Sequence, residues 1–257
     1  MQILTLGASG GLEQQQGTSA FHLPPHTLID AGTGVSKLDD DALASVSSVL
    51  LTHAHLDHIA SLPFLVDTQY EMLVEQGHAL SVYALPEVLD VLKQHIFNGH
   101  IWPDFTQSFS THAPVLRLIP INLWQPITLA GEANVSLQAT PFPVTHGVPT
   151  CGYCISDGHT QMAICGDTGL SETTIASLNR LGPLNRLVIE CAFGNHMDAL
   201  AEMAHHLTPK RLVTLLDALH TLPETLWFTH LKPPQRERIA SELHQQLPSQ
   251  LQWTLLS

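Results

Sequence analysis

Between Thr52 and His58 the chain reads Thr-His-Ala-His-Leu-Asp-His, so that His53, His55, Asp57 and His58 fall within six residues. Imidazole nitrogens and carboxylate oxygens are donors suited to zinc and related transition metals. On an extended chain end His53 and His55 project the same way, while Asp57 and His58 fall where the chain turns into the next helix. One segment can therefore feed two adjacent cations, but a loop this short cannot easily close both coordination spheres. Further donors must come from later in the chain. The candidates sit at predicted strand ends or turns: His146 in Val144-Thr145-His146-Gly147, Asp167 in Cys165-Gly166-Asp167-Thr168, and His230 in Phe228-Thr229-His230-Leu231. A carboxylate can bridge two cations through its two oxygens, so Asp167 is the expected shared ligand, with open positions left for water.

Composition agrees with a metal site. Histidine reaches 17 of 257 residues while charged residues make up only 13%. The other histidines His22, His26, His78, His95, His112, His159, His196, His220 and His244 read as ordinary surface or core residues. The formal net charge of −13 is the wrong sign for a protein that grips a long nucleic acid through its phosphates. A small anion stays open as a substrate, because bound cations reverse the local potential.

The four cysteines do not suggest a disulfide scaffold. Cys151 and Cys154 form a lone C-x-x-C whose simpler reading is strand packing, with metal or redox chemistry as the alternative. No segment has the length and apolarity of a membrane span, and Met1 to Gly7 lacks the basic start and apolar run of a secretory signal. As written, the chain reads as cytoplasmic, or as periplasmic if a leader has been removed. A homodimer is the commonest assembly on base rates.

These donors need elements to hold them. The start is β-rich with glycine-marked turns: Ile3 to Leu6, then Thr27 to Asp30. A helix-like stretch, Lys37 to Ser45, precedes a short apolar run, Ser47 to Thr52, that delivers the chain into the histidine cluster. Helical spacing over Pro63 to Gln76 and Pro86 to Phe97 flanks a strand at Leu80 to Ala84, a parallel strand–helix–strand pattern. Further strands are expected at Val115 to Pro120, Val135 to Pro143, Gly152 to Ser156, Gln161 to Gly166, Leu187 to Cys191, Leu226 to Thr229 and Leu251 to Leu255. Helices are expected at Ser171 to Leu181, Ala199 to Leu207 and Pro233 to Gln246. Two halves of strands and helices, without a linker or composition break, imply a single domain over 1–257 built as a layered α/β sandwich.

The ordered set of His53-x-His55-x-Asp57-His58, His146, Asp167 and His230 resembles the signature of the metallo-β-lactamase fold, and the likeness spans nearly the whole chain. It implies a four-layer αββα sandwich. Leu28-Ile29-Asp30-Ala31-Gly32-Thr33-Gly34 resembles that fold's first motif, which implies that Asp30 supports the metal loop from behind. A narrower resemblance is to the class II cyclic-nucleotide phosphodiesterases. It rests on His53-Ala54-His55-Leu56-Asp57-His58-Ile59-Ala60-Ser61-Leu62, Ile96 to Pro103, Phe142 to Gly147, Glu190 to Phe193, His206-Leu207-Thr208-Pro209 and Thr229 to Pro233, in that order. This resemblance implies two divalent ions, with zinc expected and manganese or iron as alternatives. One would be held by His53, His55 and His146, the other by Asp57, His58 and His230, and Asp167 would join them.

The implied reaction is hydrolysis of a small cyclic nucleotide, cyclic AMP and by extension cyclic GMP, to a nucleoside 5′-monophosphate by a hydroxide that bridges the ions. Asp57, Glu190 and His206 form the candidate catalytic set. His206 is the expected proton donor and Glu190 its orienting partner; His205 is a rival, and a helix-end packing role for His206 is the alternative. Asn98, His100 and Trp102 are candidate phosphate or base contacts, with loop packing as the competing role for Trp102. Rival functions are another hydrolase of the same fold, such as a lactonase, an arylsulfatase-like enzyme or a tRNA 3′-processing nuclease, and a non-catalytic metal- or nucleotide-binding module.

Overall fold

A computed structural model describes residues 1–108, 113–131 and 136–256. His112, and Val135 at the expected start of a strand, lie outside the described residues. Seven strands form the first sheet: β1 Leu4–Ser9, β2 Gly17–Thr18, β3 Ala20–Leu23, β4 Thr27–Ile29, β5 Ser48–Leu50, β6 Leu80–Ala84 and β7 Leu116–Pro120, in the order β2-β1-β3-β4-β5-β6-β7. The second holds β8 Ile127–Ala130, β9 Ser136–Pro143, β10 Cys151–Ser156, β11 Gln161–Ile164, β12 Arg186–Glu190, β13 Thr225–Thr229 and β14 Gln252–Leu255, in the order β14-β13-β12-β11-β10-β9-β8.

Alternation along each strand builds the layers, since successive side chains point to opposite faces. In β12, Leu187 and Ile189 face the outer helices while Val188 faces the other sheet. In and just after β5, Val49 and Leu51 face outward and Leu50 inward. The inward set from both sheets, including Phe21, Ile29, Leu50, Tyr153, Ile164 and Val188, makes one buried seam between them. The Tyr153 hydroxyl crosses this seam and donates to the Leu51 carbonyl at 3.0 Å.

Helices cover the two outer faces. α2 Leu56–Ile59, α3 Leu62–Thr68, α4 Tyr70–Gln76 and α5 Pro86–Val91 pack on the first sheet; α6 Glu172–Leu181, α8 Pro209–Asp217 and α9 Arg236–Gln246 pack on the second. The expected four-layer αββα sandwich of the metallo-β-lactamase type is the observed architecture.

Several elements differ from the sequence reading. The stretch before β5 divides into a 3₁₀ turn, Thr33–Lys37, and α1 Asp40–Ser45, capped by the Asp39 carboxylate accepting from the Ala42 amide. The helix expected to reach Leu207 ends earlier, as α7 Asp198–Met203, and α8 follows as a separate helix with Thr208 at its N-cap and Pro209 in its first turn. Cys151 and Cys154 lie on β10, where Cys151 faces the seam and Cys154 the helices. Three residues apart on a strand, they point to opposite faces and cannot act together. Burial pushes both thiols up to about 12, so strand packing is their role.

The parallel strands β4, β5, β11, β12 and β13 all run toward the same edge of the sandwich. Asp30, His53, Asp167, Glu190 and His230 lie at or just past their carboxyl ends, the place where α/β sheets commonly build sites.

Candidate metal centre

Beyond β5, the backbone at Thr52 is fixed by Asp30. One Asp30 oxygen accepts from the Thr52 amide at 2.8 Å and the other from the Thr52 hydroxyl at 2.9 Å. The second oxygen also takes Nδ1 of His58 at 2.7 Å. Asp30 therefore braces the Thr52–His58 segment through its backbone and the His58 ring. The Thr52 hydroxyl sits 3.0 Å from Nδ1 of His53, a positioning role that the sequence reading left unassigned to this residue. Asp30 and His230 both hold positive φ, at 58° each, where non-glycine residues are rare. Gly166, beside Asp167, also has a positive φ, and a Cβ there would meet the Thr52 side chain at 2.9 Å, so only glycine lets β11 deliver Asp167 this close to the loop.

Three ring nitrogens converge on one point. Nε2 of His53 and Nε2 of His146 lie 3.1 Å and 3.3 Å from Nδ1 of His55. Nitrogens bound to one tetrahedral zinc at about 2.05 Å stand about 3.3 Å apart, so the spacing fits a single cation. Their tautomers fit as well, because Nδ1 of His146 is taken by the His205 carbonyl at 3.1 Å, leaving Nε2 for the centre.

A second group forms alongside. Nε2 of His58 lies 3.3 Å from Oδ1 of Asp167, and Nδ1 of His230 lies 3.1 Å from the same oxygen. Asp57 Oδ2 stands 3.9 Å from Nε2 of His58 and 3.8 Å from Nε2 of His230. The other oxygen of Asp167, Oδ2, faces the first triplet, 3.8 Å from His53 and 3.9 Å from His146. Each Asp167 oxygen thus serves one group, the arrangement a shared ligand needs. His58 Nε2 and His230 Nδ1 are buried without a hydrogen-bond partner. Buried orphans of this kind are costly unless something fills them, and a cation satisfies both. The donor atoms within each group lie within 4.8 Å of one another. The residues present therefore fit metal ions.

Protonation favours the same reading at four of the five histidines in these groups, His58 being the exception. Burial, reinforced by neighbouring His58, holds His53 well below the usual imidazole range; burial also lowers His55 and His146 and takes His230 down to about 4. These rings are neutral at pH 7 with lone pairs to offer. Burial opposes ionisation of Asp167, but His230 and His58 outweigh it and hold its carboxyl well below the usual range. For His58 burial pulls downward, and the carboxylates of Asp167 and Asp30 reverse it.

Glu190 and His206 lie beside this centre. Nδ1 of His206 is 2.6 Å from Oε1 of Glu190. The same buried carboxylate accepts from the amides of Thr168, Leu207 and Ala192 at 2.9, 3.1 and 3.3 Å, so four donors fix its orientation. The His206 ring stacks on His230 at 5.3 Å and stands edge-on to His146 at 5.0 Å. Burial lowers the His206 ring's proton affinity, yet Glu190 overcomes it and sets the ring above its ordinary value. His205 faces the centre through its carbonyl.

Asn98, His100 and Trp102 show local contacts. The Asn98 side chain closes its own turn, accepting from the amides of His100 and Ile101 at 2.9 Å each and donating to the Gln94 carbonyl. Trp102 packs edge-on against Phe64 at 5.0 Å, and His100 is exposed. Lys232 is the site neighbour that sequence reasoning passed over. Its Nζ lies 3.4 Å from Nε2 of His230, and its position two residues after the last histidine was the available signal.

Comparison with known proteins finds similar chains and structures. The chain is 27% identical over 205 residues to 3′,5′-cyclic-nucleotide phosphodiesterase 1 of Saccharomyces cerevisiae, covering 71% of this chain and 53% of that protein, so it spans about half the yeast relative's length. It is 23% identical over 263 residues to a 3′,5′-cyclic-nucleotide phosphodiesterase of Aliivibrio fischeri, covering 85% of this chain and 75% of that one. The crystal structure of unliganded yeast PDE1 superposes with a TM-score of 0.78 at 20% identity, covering 99% of this chain and 97% of that structure. The model of the beta-lactamase superfamily domain matches residues 26–231. With its two sheets, its outer helices and its His/Asp groups at one sheet edge, the chain belongs to the beta-lactamase superfamily.

Proposed function

We propose that the chain is a metal-dependent phosphodiesterase that hydrolyses 3′,5′-cyclic nucleotides, cyclic AMP and cyclic GMP, to nucleoside 5′-monophosphates. The observation that carries this reading is the Glu190–His206 pair at 2.6 Å, which reaches Asp167 and so adjoins the two donor groups that Asp167 joins. His206 lies outside the seven expected ligands, its Nδ1 is tied to Glu190, and its Nε2 is free to hand a proton to a departing oxygen. A ribose 3′ oxygen is a poor leaving group without a proton, whereas an activated ester or lactone needs no strong acid. The cyclic-nucleotide phosphodiesterases among the relatives support the substrate class.

Two divalent cations, zinc on the donor chemistry, would supply a water that is acidic near neutral pH and positive charge for the phosphoryl oxygens. His53, His55 and His146 would hold one, Asp57, His58 and His230 the other, with Asp167 between them. The chain's own residues do the rest. Asp30 and Thr52 keep the rings of His53 and His58 in their binding tautomers, Glu190 orients His206, and His206 carries the proton at Nε2. The overall charge of −13 favours a small substrate over a long nucleic acid.

The purified protein is to be mixed with cyclic AMP and with cyclic GMP, each with and without a chelator. We expect 5′-monophosphate release that the chelator abolishes; no metal-dependent release from either nucleotide would sink the reading.

A further inference from the structure

We propose that Lys232 is the substrate-binding cation of this centre, its ammonium taking a non-bridging oxygen of the phosphoryl group. This rests on the phosphodiester reading, since only an anionic substrate calls for it. Lys232 is half-buried, and its position is built rather than incidental. Its amide donates to the Ala192 carbonyl at 3.1 Å and its Nζ to the Gly10 carbonyl at 2.6 Å. Gly10 is in turn clamped on the metal strand: its amide donates to the Leu231 carbonyl at 3.1 Å, and a Cβ there would meet the His230 carbonyl at 2.4 Å. Any larger residue at position 10 would push away the carbonyl that aims the lysine.

The ammonium has three protons and no acid to meet. Among the described residues no carboxylate lies within 4.0 Å of it, although the chain as a whole carries an excess of acidic groups. One proton goes to Gly10. A second faces Nε2 of His230 at 3.4 Å, and that nitrogen cannot serve as acceptor in a working centre. If Nε2 binds a cation, its lone pair is used; if Nδ1 binds one, Nε2 carries the ring proton. Either way a lysine donor is released at the edge of the second donor group, next to His206, which stacks on the same His230 ring. A half-buried ammonium without a counter-charge is unfavourable until an anion arrives, and a lysine suits phosphate as a point charge.

Inorganic phosphate serves as the probe, titrated calorimetrically into the metal-loaded full chain as wild type, Lys232→Gln and Lys232→Arg, with metal content per chain measured for each. Glutamine can still donate to Gly10 but has no charge; arginine keeps the charge. We expect phosphate affinity to fall about tenfold or more in Lys232→Gln and to be largely kept in Lys232→Arg, with metal content unchanged in both. Equal affinity in wild type and Lys232→Gln overturns the proposal. So does wild type that fails to bind phosphate, or a weakening that follows loss of metal, since Lys232 would then only brace His230. Reduced phosphate binding in Lys232→Gln, together with no cyclic-nucleotide turnover by wild type, would remove the proposed substrate and leave the lysine's role standing.

Discussion

At the scale of single residues, the centre divides by what each side chain's second polar atom does. His58 gives its Nδ1 to Asp30, His146 gives its Nδ1 to a carbonyl, and both keep Nε2 for a cation. His206 likewise gives its Nδ1 to a buried carboxylate, Glu190, but its other nitrogen belongs to neither of the two main donor groups. Replacing it should therefore disturb proton delivery more than metal binding. His206→Ala is expected to lower kcat for cyclic AMP by about 10²- to 10⁴-fold, the usual contribution of a positioned acid, while an ester with an activated leaving group loses much less. Steady-state kinetics on both substrates checks this; equal losses would remove His206 as the acid and leave it a packing residue. That His53, His146, Asp167, Glu190 and His230 would gather at one edge was readable from short motifs at strand ends, whereas His206 lies between two helices and is brought to Glu190 by folding. Thr52 and Lys232 were in view but carried no role, since what they do depends on Asp30, Gly10 and His230 brought close by folding.

At the scale of elements, His206 depends on how two helices meet. α7 stops at Met203, His205 takes a φ of +54°, and the His206 amide returns to the Ala201 carbonyl at 2.8 Å. That reversal turns the ring onto Glu190, and a helix continued to Leu207, as the apolar spacing suggested, would point it elsewhere. Periodicity reports where apolar faces lie but not where a chain must break to serve a site. The strand Leu80–Ala84, by contrast, was legible to the residue, because its burial alternates cleanly. The reversal is held by a clasp: Arg211 of α8 reaches Asp198 of α7 through Nε at 2.7 Å and Nη2 at 3.0 Å. Hydrogen bonds from Arg211 hold the Asp198 carboxyl below the usual carboxylate range. A group whose folded value is lowered stabilises above its unfolded value, about 3.9, and loses that contribution as pH falls through the folded one. Asp198→Asn should therefore lower Tm at neutral pH, by an amount equivalent to about 1 kcal/mol or less for so exposed a pair. The gap from wild type should close below about pH 4. Thermal melts of both proteins between pH 3 and 7 provide the check, and a gap that stays constant would show that the clasp is not electrostatic.

At the scale of the whole molecule, the order of strands and helices implied two layered halves, but not which strand joins which sheet. β8 takes the far edge of the second sheet and β1 pairs with β3; such choices are made by long-range packing across the seam and leave no local mark. The consequence for function is that the centre straddles the two halves. His53, His55, Asp57 and His58 come from the loop after the first sheet's β5 and the short helix α2 that follows it, while His146, Asp167 and His230 follow β9, β11 and β13 of the second. Ions shared through Asp167 would tie the edges of both sheets, and they bind the folded chain but not the unfolded one. Free metal at about 100 times its dissociation constant adds roughly 2.7 kcal/mol for one site, which in a chain of this size corresponds to a Tm rise of several degrees. Stripping with a chelator should lower Tm by that amount, and reloading with zinc should restore it. His230→Ala opens one donor group on the second sheet only, so its melt should respond to zinc less than wild type while its unloaded Tm stays nearer the stripped wild-type value. A wild-type Tm indifferent to chelation and reloading would mean that the two sheets meet here without an ion between them.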